Sequence, residues 1–209
     1  TPVAEIASTA VHQAWLNERT GTHDLRSDYY DDALVQSLPD LTNEKNALIV
    51  IHLMGCHGSY ADRYPEEWKH YSGKSDDNAI RYNDYVLQQL YEALKENPRF
   101  KGFVYFSDHG EDVEHNYGHE ASKFTATMSH IPLFMVVSPS FQAERPQTVE
   151  TLRSHRDSYW TNDLIYNVMT DLLGIDGVPG TDLDWDLASP QYSMTKDTLR
   201  TLHGKQVLQ

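Results

Sequence analysis

Gly102-Phe103-Val104-Tyr105-Phe106-Ser107-Asp108-His109-Gly110-Glu111 (residues 102–111) joins a short apolar run to a cluster of reactive side chains. The run, Gly102 to Phe106, is rich in branched and aromatic residues and reads as a buried strand. Two runs of the same kind, Ala47 to Leu53 and Ile131 to Val137, read as further strands. Between the first two, Val86, Leu90 and Leu94 recur at helical spacing within Asn78 to Lys95, and Asn97-Pro98 ends the pattern. A second helix is expected over Ser158 to Leu173, with Trp160, Leu164, Val168 and Leu172 on one stripe and Gly174 as the stop. The acidic stretch Tyr29 to Leu38 makes a weaker third. Strands separated by helices predict an α/β fold, a three-layer αβα arrangement with a mostly parallel sheet. In such sheets ligands bind outside the carboxyl ends of the strands. His52 to His57 and Ser107 to His119 fall at those ends.

The 209 residues suffice for one core and read as a single domain, with 176–209, rich in Gly and Pro, as an irregular tail. Lys and Arg number 17 against 31 Asp and Glu, a formal charge of -14, which argues against a general grip on nucleic acid. Cys56 is the only cysteine, so neither an internal disulfide nor a cysteine-based zinc cluster can form. No apolar run reaches about 18 residues, the length a membrane helix needs, so the chain as given is expected to be soluble. Its start at Thr1-Pro2-Val3, without Met or a signal-peptide pattern, suggests a piece of a longer protein.

Asp108 and His109 at a strand end can both face a divalent ion, and oxygen plus nitrogen ligation suits zinc or manganese. A turn made by Asp108 beside a half-buried His109 is the structural alternative for the dipeptide alone. His115 and His119 follow within ten residues of His109, and His119 can reach back as a ligand, proton donor or phosphate anchor. In the other cluster the glycines around Cys56 and His57 allow close backbone approach to a ligand, and Arg63 can pair with a phosphate oxygen. Cys56 reads as a packed thiol, because no signature of a cysteine enzyme surrounds it.

The segment His52-Leu-Met-Gly-Cys-His57-Gly-Ser-Tyr-Ala-Asp-Arg63-Tyr64-Pro65 resembles a stretch of the bacterial phosphoethanolamine transferases, members of the alkaline-phosphatase/sulfatase superfamily. Tyr30-Asp31-Asp32-Ala33-Leu34, the Asp77 to Val86 helix start, the Tyr105 to Glu111 strand end and Gly118-His119 are similar to elements of the same family, in the same order. The resemblance implies an alkaline-phosphatase-like fold, truncated here at its N-terminus. It implies that Asp108 and His109 ligate a zinc ion, with manganese as the alternative. His57 and His119 would be catalytic and would bind the transferred group with Arg63, or hold a second metal. The family's nucleophile is a threonine expected upstream of residue 1, since no matching context surrounds Thr1, Thr9, Thr20 or Thr22.

The full-length parent is then expected to move phosphoethanolamine from a phospholipid donor to a lipid or glycan of the cell envelope. It would be anchored in the bacterial inner membrane through its N-terminal region, with the catalytic domain in the periplasm. A sulfatase, phosphoesterase or phosphoglycerol transferase of the same superfamily is the rival reading. For the chain alone, the rival is a folded fragment without activity. Two departures, the missing disulfide pattern and Ser59 in place of a frequent proline, suggest a divergent branch.

Overall fold

The computed structural model describes residues 2–16, 29–201 and 206–207; Thr1, Thr20 and Thr22 lie outside the described residues. The chain divides into two compact units, Thr1–Pro98 and Arg99–Gln209. No helix among the described residues is long and apolar enough to cross a membrane.

The first unit contains α1 (Pro2–Ala7), α2 (Ala33–Gln36) and the long α3 (Ser75–Lys95). Asp76 and Asp77 in the first turn of α3 and Lys95 in its last complement the helix dipole. Its buried face carries Ala79, Tyr82, Val86, Leu87 and Leu90; of the stripe expected from the sequence Val86 and Leu90 are buried and Leu94 is half-buried. Burying a side chain such as Val86 or Leu90 contributes about 1.5–3 kcal/mol. Asn78, 1% exposed, ties the preceding loop to the helix start. Its Oδ1 accepts from the N–H groups of His70 and Tyr71 at 2.8 Å each, and its Nδ2 donates to the carbonyls of Tyr71 and Lys74.

Ala47 to Leu53 does not form the expected strand: Leu48 is 58% and Val50 74% exposed. A strand needs a neighbour to take its N–H and C=O groups, and this unit contains no other strand among its described residues.

In the second unit, β1 (Gly102–Phe106) has the bounds read from the sequence. It pairs with β2 (Leu133–Val137) in antiparallel register, Gly102 opposite Val137 and Phe106 opposite Leu133. This corrects the expectation of a mostly parallel order for these strands. Parallel neighbours need a crossover, usually an α-helix, whereas the link from Ser107 to Pro132 contains only short 3₁₀ turns. A second antiparallel pair joins β3 (Arg200–Thr201) to β4 (Gln206–Val207).

Helices α4 (Pro139–Glu144) and α5 (Pro146–Ser154) follow β2, each with proline in its first turn, where the missing N–H costs nothing. The helix expected from Ser158 begins later. Thr161, extended, caps a 3₁₀ turn at Asn162–Leu164 that leads into α6 (Ile165–Leu172). Val168 on α6 packs with Leu187 and Ala188, flanked by Leu133, Met135 and Trp160. The segment after residue 176 thus contributes to the core as well as to the surface.

Asp186 is 4% exposed beside this core, and its Oδ1 accepts from the Ala188 N–H at 2.9 Å. Burial pushes its carboxyl up to about 6, opposed by the Ala188 N–H. A raised carboxyl holds its proton more tightly folded than unfolded, so its stabilising contribution is complete below about 3.8 and is lost as the pH rises through about 6. Asp186→Asn keeps the acceptor and removes the charge. It is expected to raise stability at about pH 8 by roughly 1–3 kcal/mol and to leave stability near pH 3 little changed. Urea unfolding at the two pH values measures this, and equal stabilities at the higher pH would refute it.

Candidate metal centre

The loop leaving β1 is held to its surroundings by backbone groups along its length. The Ser107 N–H donates to the Pro132 carbonyl at 3.4 Å, and the Gly110 N–H donates to the Met128 carbonyl at 2.8 Å. Asn162, at the start of the turn before α6, donates through Nδ2 to the carbonyls of Asp108 at 2.6 Å and Ser107 at 3.3 Å. Gly110 fits where no other residue does, because a Cβ there would meet the Thr127 carbonyl oxygen at 2.4 Å.

Beyond Gly110 the chain turns back on itself. Asp112 and Gly118 form an isolated antiparallel bridge. Asn116 and Gly118 adopt positive φ, 54° and 58°, the region that Asn and Gly tolerate best. Antiparallel register then sets Glu111 opposite His119, and His119 Nδ1 lies 3.0 Å from Glu111 Oε1. The ring of His109 lies 4.2 Å from that of His119, tilted by 32°. Ligand atoms of His109, Glu111 and His119 all fall within 4.8 Å of one another.

Asp112 is 2% exposed. Its carboxylate accepts from the His115 N–H at 2.9 Å and from Thr125 Oγ1 at 2.7 Å, and it holds the His115 ring through Nδ1 at 2.9 Å. These bonds, led by the His115 N–H, hold its carboxyl below the usual range. His115 is therefore engaged with Asp112 and stacks on Tyr117.

His109 Nδ1 lies 3.1 Å from the Gly110 carbonyl, a contact that requires the proton on Nδ1 and leaves the Nε2 lone pair for a ligand. Asp108 is largely exposed, with Oδ2 3.8 Å from His109 Nε2. Beside these groups opens a cavity of 390 Å³ lined in part by Phe106, Phe124, Met128, Trp160, His109 and His119.

Of the residues singled out from the sequence, the structure brings His109 and His119 together and sets Asp108 beside His109. Glu111 joins them, although sequence reasoning passed it over. The signal was available in Asn116 and Gly118, whose turn fixes which residues face each other. His57 and Arg63 belong to the other unit. There Arg63, buried, donates through Nε to the His57 carbonyl at 3.1 Å and through Nη2 to the Gly58 carbonyl at 2.9 Å. Asp31 accepts from the Gly55 N–H at 2.7 Å and the Met54 N–H at 3.2 Å, and burial raises its carboxyl. Asp31 and Arg63 thus brace the two sides of the glycine-rich turn that carries His57.

A family model described as sulfatase matches residues 6–174. Phosphoethanolamine transferase EptC of Escherichia coli is 29% identical over 205 residues, which cover 86% of this chain and 34% of that relative. Phosphoethanolamine transferase EptA of Helicobacter pylori is 31% identical over 146 residues, 58% of this chain and 28% of its own length. The putative transferase YhbX of Escherichia coli is 35% identical over 118 residues, 51% of this chain and 21% of its own length. The chain spans about a third of the length of the first of these relatives, and less of the others. No solved structure matches it.

Proposed function

The chain belongs to the sulfatase family, and on that premise we propose that it carries the metal-binding part of a phosphoethanolamine transferase. The observation that carries this reading is the convergence of His109, Glu111 and His119 at the end of β1. Relatives named phosphoethanolamine transferase, similar over most of the chain, support the choice of transferred group. The residues fit a divalent cation such as zinc. Two imidazoles and a carboxylate are its preferred oxygen and nitrogen donors. The Nδ1 contact of His109 with a backbone carbonyl is the usual outer support of a metal-bound histidine. Manganese is the alternative for the same donors.

Asp108 and His109 would hold the ion, with Glu111 and His119 completing the shell or holding a second one. A bound zinc ion would supply Lewis-acid polarisation of a phosphoryl oxygen and lower the pKa of a hydroxyl nucleophile. That hydroxyl is proposed to come from a threonine elsewhere in the longer protein. Where His119 stays outside the shell, its Nε2 would instead move a proton to or from the leaving and attacking oxygens, with Nδ1 steered by Glu111. His57 would bind the transferred group from its glycine turn. Arg63 would act there chiefly by holding His57, since its guanidinium already serves two backbone carbonyls.

The phospholipid donor, the envelope lipid or glycan acceptor, the membrane attachment and the periplasmic site are parts of the same proposal. So is a full alkaline-phosphatase-like α/β domain in a protein of the relatives' length. Mass spectrometry of envelope lipids and glycans, with and without the full-length gene, tests it. The expected difference is loss of phosphoethanolamine from one class of molecule. Loss of phosphoglycerol, or accumulation of a sulfate ester, would transfer the assignment to another branch of the family.

A further inference from the structure

We infer that Asp112 is a positioning residue for the metal centre: it closes the loop between Glu111 and His119 so that the two meet with His109. The inference rests on the reading of those three side chains as cation ligands. Three features carry it. Asp112 follows Glu111 directly, and its backbone closes the turn in both directions: its N–H donates to the Gly118 carbonyl at 2.8 Å, and its carbonyl accepts from the N–H groups of Tyr117 and Gly118. Its buried carboxylate ties the middle of the loop, at His115, to Thr125 on the segment leading to β2. No part of it belongs to the cation triad, so it acts on the centre without touching the ion.

An aspartate suits this task for a definite reason. Burial of a carboxylate is costly unless its oxygens are satisfied, and here both are: Oδ1 by the His115 N–H and Nδ1, Oδ2 by Thr125 Oγ1. Once satisfied, the cluster resists rearrangement, because a loop movement that keeps the carboxylate buried while breaking these bonds strands an acceptor. The loop therefore presents Glu111 and His119 already oriented, and ion binding need not order them.

Calorimetric titration of the full chain with Zn²⁺ tests this on wild type, Glu111→Gln, Asp112→Ala and Asp112→Asn, with thermal unfolding of each recorded in chelator. Glu111→Gln removes a ligand and should weaken binding most. Asp112→Ala should weaken it about 10–100-fold, the range for residues that orient ligands without touching the metal. Asp112→Asn keeps an oxygen acceptor for the His115 N–H and should lose less than Asp112→Ala. Should the alanine variant fail to fold, the asparagine variant decides by a measurable loss of affinity in a folded chain. Zinc affinity unchanged in the folded Asp112 variants, with only the unfolding temperature lowered, would assign Asp112 to stability and overturn the inference while leaving the metal centre in place. Unchanged affinity in Glu111→Gln would overturn both.

Discussion

His109→Ala, introduced into the full-length protein, is expected to reduce headgroup transfer by about 10³-fold or more. Lewis-acid stabilisation by a bound metal contributes several kcal/mol to a phosphoryl-transfer transition state, and each 1.36 kcal/mol is about a factor of ten in rate. His109 is one of the three side chains of the cation triad, its ring against that of His119 and its Nδ1 committed to the Gly110 carbonyl. Alanine removes a ligand nitrogen and leaves the Glu111–His119 pair with the largely exposed Asp108, a depleted and less ordered shell. The side chain is partly exposed, so the fold should survive. Circular dichroism and zinc titration of the variant separate loss of the site from loss of structure. Transfer within about tenfold of wild type, in a folded variant, would exclude His109 from the centre.

The parts of this molecule that follow from local pattern were legible in its sequence. β1 has the bounds read from its apolar run, and Val86 and Leu90 of the stripe that the spacing predicts lie on the buried face of α3. Asp108 and His109 were marked by their place after a strand, and His119 by its nearness. What escaped was long-range pairing. Ala47 to Leu53 has strand composition, yet composition cannot supply the neighbour that a ladder requires. The antiparallel register of β1 with β2 depends on the absence of an α-helix in the link between them, which no apolar period records. Glu111 gains a role only when the Asp112–Gly118 bridge sets it against His119. His115 received no role from the sequence, and its buried partner Asp112 becomes visible only in three dimensions.

Gly110→Ala is expected to damage both the fold and the centre, although it adds one methyl group. The added carbon would lie 2.4 Å from the Thr127 carbonyl oxygen, 3.0 Å from that of His130 and 3.3 Å from the Met128 carbonyl carbon. All three neighbours are backbone, so no side chain can rotate away. Either the turn at Ala126–Ser129 or the loop after β1 must move, and movement of either breaks the bond from the Gly110 N–H to the Met128 carbonyl. Overpacking of this kind costs about 1–3 kcal/mol, and a lost buried hydrogen bond adds about 1 kcal/mol. The functional effect should be larger than the stability effect. His109 and Glu111 flank Gly110, so a shift of the loop displaces two ligands at once, and about 1 Å of misplacement can cost 10²-fold. Gly58→Ala is the matched control, since nothing lies within 4 Å of the site its Cβ would occupy. Thermal unfolding and zinc titration should show Gly58→Ala close to wild type and Gly110→Ala both less stable and poor in zinc. Wild-type zinc affinity in Gly110→Ala would mean that the loop after β1 tolerates displacement, and the cation centre would then lie elsewhere.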